Sequence, residues 1–272
     1  MTTAESTLAV ISRLGRAQLE QTVRRAARMM GRSRPEPLAL GDIGYPDTTT
    51  ALEAASLLRV HAPGVLAAHS YRTYLFGAAL GTRDGLDWDG ELLFTSAMLH
   101  DLGLTDFLSG EGPFEQRGAA AAQSWLIDHG WPQDRAAVVA KAIRMHMDVG
   151  RAGKERPEVA LLHFGAAADV TGMRLEDIHP RTVEEVLASH PREGFTQYFA
   201  EKIRIEARAY PTSVTADLCR WGQFPWRIKH SPFQELHDAE HPDHGHAVCG
   251  GPHLSAGLGS RDLEVPADGH QS

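Results

Sequence analysis

"LLFTSAMLHDLGLTDF", residues 92–107, decides the fold of this chain. A mostly apolar run leads straight into His100 and Asp101, and Gly103 then interrupts it. The run lacks strand-like alternation and reads as a buried helix. Asp89 is placed to cap its start, and Gly103 suits the left-handed position that ends a helix. Two adjacent ionisable side chains at the buried end of such a helix cost stability unless something compensates them. The compensating partner is either a set of hydrogen bonds or a metal ion.

Three further helices carry the same anomaly. A helix over 65–80 sets Leu66, His69, Thr73, Phe76 and Leu80 on one stripe, which turns His69 into the core. Near 133–147, Val139, Ala142 and Ile143 lead to His146; near 158–172, Leu162, Gly165 and Ala166 lead to Asp169. Taken singly, each is explained by a hydrogen-bonded core histidine or a capping aspartate. As a group, each would need separate hydrogen-bond satisfaction, whereas one divalent cation neutralises the carboxylates and engages the imidazoles together. The small residues Ser96, Ala97, Gly165 and Ala166 let helices approach around such a centre. Imidazole and carboxylate donors suit one Zn²⁺, with Fe²⁺ as the alternative.

Helical punctuation runs through the rest. Pro132, Pro157 and Pro180 fall at helix starts, Gly130 ends the segment "FEQRGAAAAQSWLIDHG", and Pro211 stops the helix over "GFTQYFAEKIRIEARAY". No convincing strand and no internal repeat is found, so the expected fold is all-α. Residues 1–46 are expected to form an amphipathic N-terminal helix (5–30) and a Pro/Gly-rich linker. Residues 47–225 form the helical domain, and residues 226–272 a loose tail rich in His, Gly and Pro. Seven of the 15 histidines fall in that tail, where they either bind metal or simply accompany an extended segment.

Composition narrows the function. With 27 basic and 35 acidic residues the formal charge is −8, which argues against a nucleic-acid or anionic-membrane surface. Only Cys219 and Cys249 are present, as expected of a cytoplasmic protein in a reducing compartment. No apolar run approaches the roughly 20 residues of a membrane span. A small-molecule substrate is therefore the expected partner, and the N-terminal helix allows for a homo-oligomer.

The motifs His69-Ser-Tyr-Arg, His100-Asp101-Leu-Gly and Asp169 in "GAAADVTG" resemble the His … His-Asp … Asp signature of the HD-domain metalloenzymes. The resemblance implies a helical bundle in which His69, His100, Asp101 and Asp169 hold one divalent metal. Over residues 47–210 the order and wording of the motifs are similar to the cyanamide hydratase-like HD proteins, which implies hydration of a nitrile to a urea or amide.

A metal with an open position would lower the pKa of bound water. His146 and Glu115 are the candidate acid and base groups, since imidazole titrates in the useful range. Glu115 is equally explained as a first-turn carboxylate favoured by the helix dipole. Arg72, one turn after His69, would orient a carboxylate or meet an anionic substrate. Three enzymatic readings follow: a hydratase or hydrolase of a small molecule, a phosphohydrolase, and a di-iron oxygenase. Leu104 occupies the place of the glutamate in the "HDxxE" pattern of several phosphohydrolases, and further ligands for a second metal are few, which sets the order. A metal site in a binding or structural protein is the non-enzymatic alternative.

Overall fold

The computed structural model describes residues 7–29 and 35–233. It is built from helices α1 (Thr7–Met29), α2 (Leu40–Ile43), α3 (Thr49–His61), α4 (Gly64–Arg83), α5 (Gly90–Leu99) and α6 (Phe114–Asp128). These are followed by α7 (Gln133–Met145), α8 (Pro157–Thr171), α9 (Pro180–Ser189), α10 (Phe195–Ala209), α11 (Val214–Trp221) and α12 (Phe224–Lys229). No strand occurs among the described residues, and the fold is all-α.

The helix limits follow from local chemistry. Thr48, Asp89 and Ser213 each accept a backbone N–H at a helix start, satisfying one of the donors a first turn leaves free. Pro157 and Pro180 stand in first turns, where a missing N–H costs nothing. Gly130, at φ 81°, follows the end of α6, and Gly172, at φ 74°, caps α8.

The contact between α4 and α8 organises the core. A Cβ on Gly77 would lie 2.8 Å from the Leu161 carbonyl oxygen. A Cβ on Gly165 would collide with the carbonyl of Thr73 and lie 2.9 Å from the Gly77 nitrogen. Backbone meets backbone here, which brings His69 of α4 and Asp169 of α8 face to face. Helices α5 and α7 pack beside this pair, and each ends at a buried histidine: His100 caps α5 and His146 caps α7.

Three features depart from the sequence reading. Gly103 does not take the left-handed position expected of it. It lies in a 3-10 turn, Leu102–Leu104, and is needed because a Cβ there would strike the Phe114 carbonyl. Residues 226–233, read as the start of the tail, are packed: Ile228, Ser231 and Phe233 are buried, the last against Phe76. The linker also docks on the bundle, since Leu38 exchanges hydrogen bonds with Thr182 through both N–H and C=O. The His-rich stretch 237–253 lies outside the described residues. No described helix is long and apolar enough to cross a membrane.

Candidate metal centre

His69, within α4, meets His100, Asp101 and His146, which stand at or just past the ends of α5 and α7, and all four are essentially without solvent exposure. Their tautomers follow from their partners. The Nδ1 of His100 lies 2.7 Å from the Ala97 carbonyl, and that of His146 lies 2.6 Å from the Ile143 carbonyl. A carbonyl oxygen only accepts, so both Nδ1 atoms carry the proton. The Nδ1 of His69 donates to Asp169 Oδ2 at 2.6 Å. All three rings therefore turn Nε2 toward one another and toward Asp101.

The spacing of these atoms is informative. His69 Nε2 and His100 Nε2 are 3.3 Å apart; Asp101 Oδ2 is 3.5 Å from the first and 3.3 Å from the second. Ligands at about 2.1 Å from a tetrahedral ion stand about 3.4 Å from each other. The triangle thus has the dimensions of one face of such a site, and these three residues form a group able to hold a metal. Both Asp101 oxygens and His146 Nε2 are buried and have no hydrogen-bond partner. A proton added to His100 would satisfy one of these atoms and leave His146 Nε2 and the second Asp101 oxygen facing each other at 3.5 Å, both as acceptors. A cation answers the whole set. The donor chemistry fits a divalent metal.

Asp169 occupies a different place from the one expected for a fourth ligand. Its Oδ1 receives Arg72 Nε at 2.8 Å and Arg192 Nη1 at 2.5 Å, and its Oδ2 receives Arg72 Nη2 at 2.9 Å as well as His69 Nδ1. Arg192 also reaches the Asp169 backbone carbonyl. The carboxylate therefore stands behind His69, on the side of the ring away from the convergent Nε2 atoms. Arg72 is fully buried and orients this carboxylate. Its Nη1 also bonds the carbonyls of His190 and Pro191, which fastens the loop carrying Arg192. Phe195 stacks on the His69 ring at 4.7 Å, with both guanidinium groups near its own ring.

Charge follows this geometry. Burial opposes ionisation of Asp101, but His100, His69 and His146 hold its carboxyl below the usual range. Burial opposes it at Asp169 too, where Arg192 and Arg72 prevail and keep the group ionised. Burial lowers His69, and it lowers His146 to about 4 with help from His100, so His146 is neutral with a free Nε2 lone pair. His100 is raised: burial works against its charge, and the adjacent Asp101 outweighs it.

Glu115 opens α6 and is 2% exposed, with one carboxyl oxygen lacking a partner. Burial pushes its pKa to about 7, and Glu206 and Asp101 add to the effect. It does not line the cavity that reaches the centre. His129 is exposed at the end of α6, with Nε2 3.8 Å from Glu53. His163, whose Nδ1 donates to the His146 carbonyl at 2.7 Å, does line the cavity. His163 precedes Asp169 by six residues on α8, which sets it on a different face of the helix, the one that lines the cavity. Arg192 was missed. It lies between two helices, where no periodicity points to it.

The cavity measures about 390 Å³ and has His69, His100, Asp101 and His146 in its wall. Three close donors beside an accessible space is the arrangement of a catalytic metal site, in which one position stays open to water or substrate.

Two cyanamide hydratases of Saccharomyces cerevisiae, DDI2 and DDI3, are each 28% identical to the chain over 176 residues, which is 61% of this chain and 78% of the yeast protein. The HD domain family matches residues 66–248, a span that contains all four of these residues together with Asp169 and both arginines. The chain belongs to the HD domain family, whose members are metal-dependent hydrolases and related enzymes.

Proposed function

We propose that the chain is a metal-dependent hydratase that adds water to a nitrile carbon, with His69, His100 and Asp101 holding one divalent ion. Zinc suits two imidazoles and a carboxylate, and ferrous iron is the alternative. Asp169, braced by Arg72 and Arg192, orients His69 through Nδ1 in this reading, as carboxylates do for metal-bound histidines. The observation that carries the proposal is the set of buried, partnerless acceptor atoms on Asp101 and His146 beside a cavity.

When bound, the ion supplies Lewis acidity and makes water nucleophilic near neutral pH. His146 would take the proton of the attacking water at Nε2, which faces Asp101 Oδ1 and carries no proton of its own. The water oxygen bonds to the nitrile carbon and one π bond of the triple bond breaks. The proton on His146 passes to the nitrogen, and the remaining hydroxyl proton follows on tautomerisation, which leaves an amide, or urea from cyanamide. The yeast relatives' name supports the nitrile class.

A phosphohydrolase is less well supported. Leu104 is an apolar, buried residue where a glutamate would be needed, and Arg72 and Arg192 are committed to Asp169. Among the described residues lining the cavity, Arg227 is the single Arg or Lys, and its Nε bonds the Gly222 carbonyl.

The test is to incubate metal-loaded protein with cyanamide and with acetonitrile, following urea and acetamide by NMR, alongside a panel of nucleotides assayed for phosphate. Amide or urea formation without phosphate release is expected. Phosphate release without amide or urea would contradict the reading. Replacing His146 with Ala should lower turnover by about 10²-fold or more, the size of a general-base contribution, while metal content stays near that of the parent. Metal loss instead would make His146 a ligand.

A further inference from the structure

The cavity is far larger than cyanamide needs. Its volume of about 390 Å³ falls in the range of pockets that enclose drug-sized molecules, whereas cyanamide has only a few non-hydrogen atoms. Much of its lining is apolar: Ile11, Leu14, Val149, Leu218 and Phe224 contribute to it, and Phe199 adds a ring 5.5 Å from that of His69. The polar groups away from the metal centre are mostly neutral, notably Gln18, Gln21, Thr171 and Gln223. A small polar molecule would leave this space filled with water against hydrocarbon, which is unfavourable.

One wall comes from α1. Ile11, Leu14, Gly15, Gln18 and Gln21 recur at helical spacing and all line the cavity, so α1 turns one face into it. Arg13 fixes the helix by bonding Asp148 Oδ1 at 2.8 Å and the Val149 carbonyl, on the loop that follows His146. Residues 7–29 lie outside the stretch 66–248 matched by the HD domain family. The reacting end and much of the lining are thus built by segments within the family match, and α1 adds a wall from outside it.

We infer that the substrate is a neutral nitrile with an extended apolar body, and that α1 is the element that selects it. This rests on the hydratase reading for the reacting group, and on the cavity for the body. Gly15 sits in the centre of the α1 stripe, and a Cβ there meets nothing within 4 Å. Glycine inside a helix costs about 1 kcal/mol relative to alanine, so a larger residue at this position favours the helix while filling the cavity.

The probes are the straight-chain nitriles from acetonitrile to hexanenitrile, titrated calorimetrically into metal-loaded full-length protein. Affinity should rise roughly three- to fourfold per methylene. In Gly15→Phe the rise should collapse to less than about threefold over the whole series, with metal content unchanged. A flat series in the parent protein, or a series untouched by Gly15→Phe, would overturn the inference. The two readings separate cleanly. Rising affinity with no amide from any nitrile would sink the hydratase reading and leave the apolar body standing. Cyanamide hydration with a flat series would do the reverse.

Discussion

His69 is held from both sides: its Nδ1 by Asp169, its ring face by Phe195. Asp169 is in turn gripped by Arg72 and Arg192, so the direction of the His69 lone pair depends on a loop residue that never faces the centre. Replacing Arg192 with Gln should weaken metal binding by about 10- to 100-fold, the usual cost of losing an outer-sphere partner. Competition against a chelator measures this, and unchanged affinity would show that Arg72 orients Asp169 alone. Glu115 makes a separate prediction. Its folded pKa, about 7, lies above the ordinary value of 4.5, so the folded state holds the proton more tightly than the unfolded chain. Stability from this source is complete below pH 4.5 and is lost as pH rises to about 7. Glu115→Gln should therefore gain stability over the parent progressively through that window, reaching roughly 3 kcal/mol at most. Denaturant titrations at pH 4.5 and 8 decide it: an equal difference at both would mean that Glu115 is ionised in the folded protein. The convergence of His69, His100 and Asp101 was legible because each ionisable residue interrupts an apolar stripe. Arg192 and the commitment of Asp169 were not, because a hydrogen bond between distant loops and helices leaves no local pattern.

At the scale of elements, the close crossing of α4 and α8 sets the distance between His69 and Asp169. Gly165→Ala forces a Cβ against the Thr73 carbonyl, and backbone cannot yield as a side chain does. A loss of about 1–3 kcal/mol is expected, read as a lowered Tm. An unchanged Tm would mean that the helices part without cost. The small residues at Gly165 and Ala166 pointed to a close approach in advance, since small side chains on a buried stripe have few other uses. Gly103 misled for an instructive reason. A glycine after a helix suggests positive φ, but here the room is needed for the Phe114 carbonyl, which belongs to a segment with no sequence link to the turn. The packed segment around Ile228 and Phe233 was hidden in the same way, because a short helix bordering a polar tail has too little periodicity to be read.

Across the whole molecule, the division of labour is spatial. Helices α4, α5, α7 and α8 bring the imidazoles and carboxylates together, while α1, α11 and α12 complete the cavity beside them. The amphipathic pattern of the N-terminal helix is visible in the sequence, but its target is not, since an apolar stripe does not name the surface it covers. At the heart of the molecule stands the proposed hold of one divalent ion by the buried acceptors of His69, His100 and Asp101. Elemental analysis of tag-free, full-length protein and of its Asp101→Asn variant tests this most directly, because any metal on the histidines of residues 237–253 is counted equally in both. About one fewer zinc or iron per chain is expected in the variant, with helical content unchanged. Equal metal in the two proteins would contradict it.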